Sequence, residues 1–211
     1  MRLRRPEERG DTIIEVLFAI AVFAMVAIGG MSIMNQGTAT AQRSLEITLV
    51  RQQIDAQAEA IRYIHQAYVA AYQKGGTPTG IAAEWPKMAS ISSKGVGSAS
   101  EFGQVATGST CESATPIEKP FILNARRATL WSQTPAMTPP EGGTLPPFAH
   151  VIYNKDSIIE AVYGLWIEAV PSVGADGPGF VDFHIRACWD SPGSPAPVTL
   201  GTIVRLYEPR Q

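Results

Sequence analysis

Side chains able to do chemistry are few and scattered in this chain. His65, His150 and His184 are its three histidines, and none stands at the HExxH or CxxC type of spacing that gathers metal ligands. No GxSxG, P-loop or GxGxxG pattern occurs, and Asp176-Gly177-Pro178-Gly179 has the residues of a tight turn, not of a phosphate cradle. His184 alternates with Asp182 and Arg186 along a candidate strand, the pattern of a solvated face. The expectation is therefore no enzyme, no metal and no cofactor. Three residues are left. Cys111 and Cys188 have one intramolecular pairing open to them, or stay apart as two small buried hydrophobes. Glu15 is a carboxylate near the start of a long apolar run, where a charge is costly enough to mark a function.

The elements that would position these residues begin with that run. Val16 to Met34 are nineteen residues without a charge, which as a helix span about the ~30 Å of a bilayer's hydrocarbon core. Ahead of them Arg2, Arg4, Arg5 and Arg9 outweigh Glu7 and Glu8. That bias places the N-terminus in the cytoplasm and everything after residue 34 outside, where a disulfide is chemically permitted. A removable secretory signal is the competing reading, and the segment is longer than such a signal's apolar core. Arg9-Gly10-Asp11 spells an adhesion tripeptide, but on the cytoplasmic side of the bilayer, so chance is the better reading. A charged fraction of 17% and a net charge of -2 give no basic footprint for nucleic acid.

Beyond the apolar run the helix continues in amphipathic form. Ile47, Val50, Ile54, Ala58, Ile61, Ile64, Tyr68 and Tyr72 recur at three- and four-residue steps, with Arg43, Glu46, Arg51, Asp55, Glu59 and Arg62 largely off that stripe. Gly75-Gly76 then Thr77-Pro78 predicts a stop near Lys74. Gly29, Gly30 and Gly37 are positions of bending or local melting, or of close packing in a bilayer. Residues 75 to 115 read as an irregular connection anchored by Trp85 and Phe102, with a short helix around Ile81 to Met88. Thr134 to Pro147 is too proline-rich for regular structure. Strand signals cover Pro120 to Ala125, Thr129 to Ser132, Phe148 to Tyr153, Ile158 to Val170, Phe180 to Trp189 and Val198 to Tyr207. The fold class that follows is α+β, a long N-terminal helix packed on a C-terminal antiparallel sheet.

The N-terminal residues also carry a family resemblance. A short basic leader ending in Gly10, followed by DTIIEVLFAIAVFAMVAIGG with glutamate fifth after that glycine, resembles the class III signal of type IV prepilins and pseudopilins. Thr12, Ile13, Ile14 and Glu15 match the family's pattern closely; Asp11 stands where Phe or Met is commoner. The likeness is strong over residues 5 to 35, weak along the continuing helix, and not detectable in the last two thirds. It implies cleavage between Gly10 and Asp11 by a membrane-embedded prepilin peptidase, methylation of the new N-terminus at Asp11, and a role for Glu15 in assembly. It also implies a single disulfide in the head, here Cys111 with Cys188, pinning the Gly/Ser-rich connection across the outer face of the sheet.

The domain organisation on this reading is a leader at 1–10, a transmembrane and filament-core helix at 11–34, its amphipathic continuation at 35–74, and an extracellular loop-rich β head at 75–211. The resemblance implies a precursor in the cytoplasmic membrane and then a surface filament for adhesion or motility. The partners it implies are other pilin subunits, the prepilin peptidase and an assembly platform with its motor ATPase. A pseudopilin of a type II secretion or DNA-uptake system shares every one of these features. A plain single-pass protein whose head binds a surface ligand is the rival of another class, with Glu15 incidental and Arg9-Gly10 uncut.

Overall fold

A computed structural model describes residues 13–91, 111, 119–136, 148–172, 179–191, 194 and 196–209. The leader at 1–10, Asp11, Phe102, residues 137–147 of the proline-rich stretch and Asp176 to Pro178 lie outside the described residues. The chain divides into two compact units, Met1–Arg43 and Ser44–Gln211.

In the first unit the described residues are all helical. They belong to α1, Ile13–Gln73, 61 residues long and unbroken through Gly29, Gly30 and Gly37. Among the described residues no atom lies within 4 Å of a Cβ built on any of these three glycines, so none of those residues requires them to be small. Every described side chain from 13 to 43 is exposed.

In the second unit α1 buries one stripe, Glu46, Val50, Ile54, Gln57, Ala58, Ala60, Ile61 and Ile64, at the three- and four-residue steps that place side chains on one helical face. Gly75 ends the helix in the left-handed region (φ +66), and the Gly76 N–H donates back to the Ala71 carbonyl. A 3-10 turn at Gly80–Ala83 leads into α2, Glu84–Ser90, which delivers Trp85 and Met88 to the core.

The strands are β1 (Ile122–Asn124), β2 (Thr129–Trp131), β3 (His150–Tyr153), β4 (Ile159–Tyr163), β5 (Leu165–Ser172), β6 (Phe180–Trp189) and β7 (Val198–Tyr207). They form three antiparallel groups, β1-β2, β3-β4 and β5-β6-β7, where the sequence led us to expect one sheet. The run from Ile158 to Val170 is broken at Gly164, whose φ of +62 turns the chain. A Cβ there would collide with the Cys188 carbonyl, and the two ends of the turn are held by Gly164 N–H to the Ala136 carbonyl and Cys188 N–H to the Gly164 carbonyl, both 2.8 Å. One long apolar strand thus becomes two strands in different sheets.

One core unites these parts. Val181, Phe183, Ile185, Ala187 and Trp189 of β6 face the α1 stripe together with Leu165, Ile167 and Ala169 of β5 and Val198 and Val204 of β7. Phe183 meets Trp85 at 5.7 Å and Phe121 at 6.5 Å between ring centroids, both edge-on, the arrangement aromatic quadrupoles favour. The architecture is a long, N-terminally apolar helix on antiparallel sheets, an α+β fold.

Candidate functional site

Two places hold the residues singled out by the sequence. Glu15 lies in the first turn of the described helix. It shares a helical face with Ala19 and Phe23, and these border a shallow depression with Val16 and Ile20. Around it the large apolar side chains are turned outward, Phe18 at 71% and Phe23 at 74% exposed. A contiguous apolar surface of this kind marks contact with a membrane or another protein. Among the described residues this is the one helix long and apolar enough to cross a membrane. Gly10 and Asp11 lie outside the described residues.

The second place is the outer face of β5-β6-β7, the side turned away from α1. Cys188 on β6 is joined to Cys111 in a disulfide with a Cα–Cα distance of 5.7 Å, linking positions 77 apart. Beside it on the same face are Trp166 and Glu168 of β5, in register with Arg186 and His184. This face was expected to be wet; instead Cys188, Trp166, Glu168 and His184 are buried and Arg186 is half-buried. The strand alternates as expected, but both of its faces are covered at these rows. Water reaches this side of the sheet along β7, where Thr199, Gly201, Ile203, Arg205 and Tyr207 are exposed.

The covering changes the electrostatics. Burial, then the neighbouring Arg186 charge, lowers the pKa of His184, against a smaller opposing pull from Asp182. Burial likewise lowers the pKa of Arg186, partly offset by Glu168, whose Oε2 is 3.6 Å from its Nε. Further out, Arg205 clasps Asp182 with two hydrogen bonds of 2.7 Å and lies 4.0 Å from the Phe180 ring centroid. His65 donates to the Tyr207 carbonyl at 2.9 Å and His150 to the Phe148 carbonyl at 2.6 Å. The three histidines are thus separate, and among the described residues no three His, Cys, Asp or Glu side chains gather as metal ligands.

Three polar residues of the head had drawn no attention in the sequence, or the wrong kind. Glu46, assigned above to the polar side of α1, is buried; its Oε2 accepts from Trp189 Nε1–H at 3.0 Å and Ser191 Oγ–H at 2.6 Å. Gln57 is 1% exposed and grips β1 as a neighbouring strand would, its Nε2–H donating to the Leu123 carbonyl at 2.8 Å and its Oε1 accepting from the Leu123 N–H at 3.0 Å. Glu84 ties α2 to β2 by accepting from the Leu130 N–H at 2.9 Å, while Lys87 lies 2.6 Å from its other oxygen. Burial alone would raise the Glu84 pKa, but these two donors and the Lys87 charge together hold it below the usual value. A signal for the first two was present: Glu46 stands four residues before Val50, and Gln57 three after Ile54, so both lie on the apolar stripe.

The arrangement is an exposed apolar helix segment carrying one acid, and a head stapled by a disulfide and pinned to the later turns of that helix. Comparison with protein-family models, curated proteins and solved structures finds no match to this chain.

Proposed function

We propose that the chain is a pilin-like subunit, held in the membrane by the first part of α1 and then transferred into a surface filament whose core is built from the same helix. The observation that carries this reading is the contrast within α1. Its residues 13–43 are exposed and largely apolar, while from Glu46 onward the same helix is built into the core of a folded head. Apolar surface on that scale is not left in water; a bilayer and a bundle of like helices are the two environments that cover it. The Gly10-Asp11-Thr12-Ile13-Ile14-Glu15 sequence supports the same reading through its likeness to prepilin processing signals. On this reading the prepilin peptidase cuts after Gly10, Asp11 becomes the methylated N-terminus, and other pilins with their assembly platform are the partners.

Intact-mass and N-terminal analysis of filaments sheared from the producing cell tests processing, methylation and filament membership together. The expected mature chain begins at Asp11 with a methylated amino group. A surface protein that retains Met1, or begins near residue 40, overturns the reading.

A further inference from the structure

The two edges of the sheet β5-β6-β7 are treated differently. β5 bonds onward to Phe121 through Ile167, N–H to carbonyl in both directions. β7 pairs with β6, and among the described residues no strand lies on its other side. Register fixes which backbone groups face outward there. Glu208 N–H donates to the Gly179 carbonyl, one step beyond the Phe180 and Tyr207 pair, so Leu206, Val204, Thr202 and Leu200 turn their N–H and C=O groups to β6. Thr199, Gly201, Ile203, Arg205 and Tyr207 turn theirs away, and the Tyr207 carbonyl accepts from His65 at 2.9 Å.

An open edge is a template for another strand unless something blunts it. β7 lacks the usual guards. It is ten residues long and pairs with β6 without a bulge. It contains neither lysine nor proline, the nearest prolines standing outside it at Pro197 and Pro209. Its single charge, Arg205, is held to Asp182 of β6 by two hydrogen bonds, so a partner strand chosen by charge would find it already engaged. Ile203, at mid-strand, is 59% exposed.

The sequence of the strand suits a second copy of itself. Antiparallel pairing of β7 with another β7, centred on Ile203, sets outward-facing residues opposite one another: Ile203 against Ile203, Arg205 against Gly201 and Tyr207 against Thr199. The exposed isoleucines then cover each other, the two arginines stand apart, and Gly201 brings no side chain against the long Arg205. A centre at Arg205 would instead set like charges face to face.

We propose that β7 is a homotypic docking edge, on which the head pairs antiparallel with β7 of a second copy so that one sheet runs through both heads. The contact is isologous, with a two-fold axis at Ile203. That axis reverses the direction of the α1 turns packed on the sheet, so on the pilin-like reading it joins opposed subunits and not successive ones along a filament; the pairing itself does not rest on that reading.

The test uses the full-length protein in detergent, as an equal mixture of ¹⁴N and ¹⁵N chains with the photoreactive p-benzoylphenylalanine in place of Thr199. Cross-links between differently labelled chains should fall at Arg205 to Tyr207. Sedimentation equilibrium gives the strength. Ile203→Lys and Ile203→Glu should each weaken self-association by about fivefold or more, since each sets like charges opposite each other, and an equal mixture of the two variants should restore it. Association through the exposed apolar helix is indifferent to residue 203, and restoration in the mixture shows that both variants fold. The proposal is overturned if position 199 cross-links within its own chain alone or not at all, or if the mixed variants associate no better than either by itself.

Discussion

At the scale of single residues the head is specified by polar groups that its core encloses. Glu46 Oε2 takes two donors, Trp189 Nε1–H and Ser191 Oγ–H, where no water competes. Removing a shared acceptor costs more than the bonds contribute, because both donors are left buried and unmade. Glu46→Leu should lower head stability by about 2 to 4 kcal/mol, while Glu46→Gln, which keeps an acceptor oxygen, should lose appreciably less. Denaturant unfolding followed by tryptophan fluorescence measures both, and equal losses would show that the carboxylate's size, not its acceptor role, matters. His184 gives a pH-dependent counterpart. Its neutral form is favoured by the fold, so its folded pKa lies below the 6.5 of the unfolded chain. As pH falls below 6.5 the unfolded state takes up the proton first, and stability present above that pH is progressively lost down to the folded value. The groups around it are Glu168 across the strand pair and Asp182 and Arg186 on its own strand. A thermal melt series across this window should fall with acidification in the wild type and flatten in His184→Gln; an unchanged slope would remove His184 as the titrating group.

At the scale of elements, two devices turn short strands into one head. The first is Gly164, where the chain leaves β4 and enters β5 with φ +62 and with the Cys188 carbonyl in the space a side chain would need. Gly164→Ala should destabilise by roughly 2–4 kcal/mol, left-handed strain and overpacking combined, against a far smaller change for Gly29→Ala or Gly30→Ala, where the added methyl meets nothing. Comparison of the three unfolding midpoints checks it. The second device is the disulfide. Cys111 and Cys188 close a separation of 77 residues, and on the chain-entropy model a link of that span stabilises by roughly 4 kcal/mol. Reduction, or the Cys111→Ala, Cys188→Ala pair, should therefore lower the head's midpoint while leaving the helicity of α1 largely unchanged. Circular dichroism alongside fluorescence separates the two signals.

At the scale of the whole molecule, long periodic segments were readable in the sequence and features made by tertiary contact were not. α1, β6 and β7 follow from period and composition, and the helix stop near Lys74 from its glycines, since each signal is local. The division into three small sheets, the covering of His184 and the inward turn of Glu46 depend on partners 16 to more than a hundred residues away, and the polar identity of Glu46 outweighed its place on the apolar stripe. On the proposed reading, Glu15 is the residue whose role rests on chemistry that an assembly supplies. A lone carboxylate near mid-bilayer costs about 2.5–3.5 kcal/mol on translocon scales and less toward the edge, where Glu15 would stand if this helix spans a membrane, so its presence in the apolar stretch would need compensation. If cleavage frees an α-amino group at Asp11, that group lies four residues, one helical turn, from Glu15 of its own chain, and stacking offers the Glu15 of a neighbouring subunit as an alternative. An unpaired charge is expensive to bury and a paired one tolerable, so the pairing would act as a check on register when subunits leave the bilayer. The Asp11 carboxylate, four residues from Glu15 in the sequence, repels that acid and weakens its attraction to the Asp11 amine. Glu15→Leu should therefore leave membrane insertion and head folding intact while cutting filament incorporation at least tenfold, about what one lost ion pair of 1.4 kcal/mol produces. Quantifying the subunit in sheared filaments against the membrane pool, with cleavage confirmed by mass, reads this out. Wild-type filament yield from correctly processed Glu15→Leu would show that the acid plays no part in assembly, and Asp11→Phe, which removes the competing carboxylate, should raise incorporation above the wild type on the same measurement.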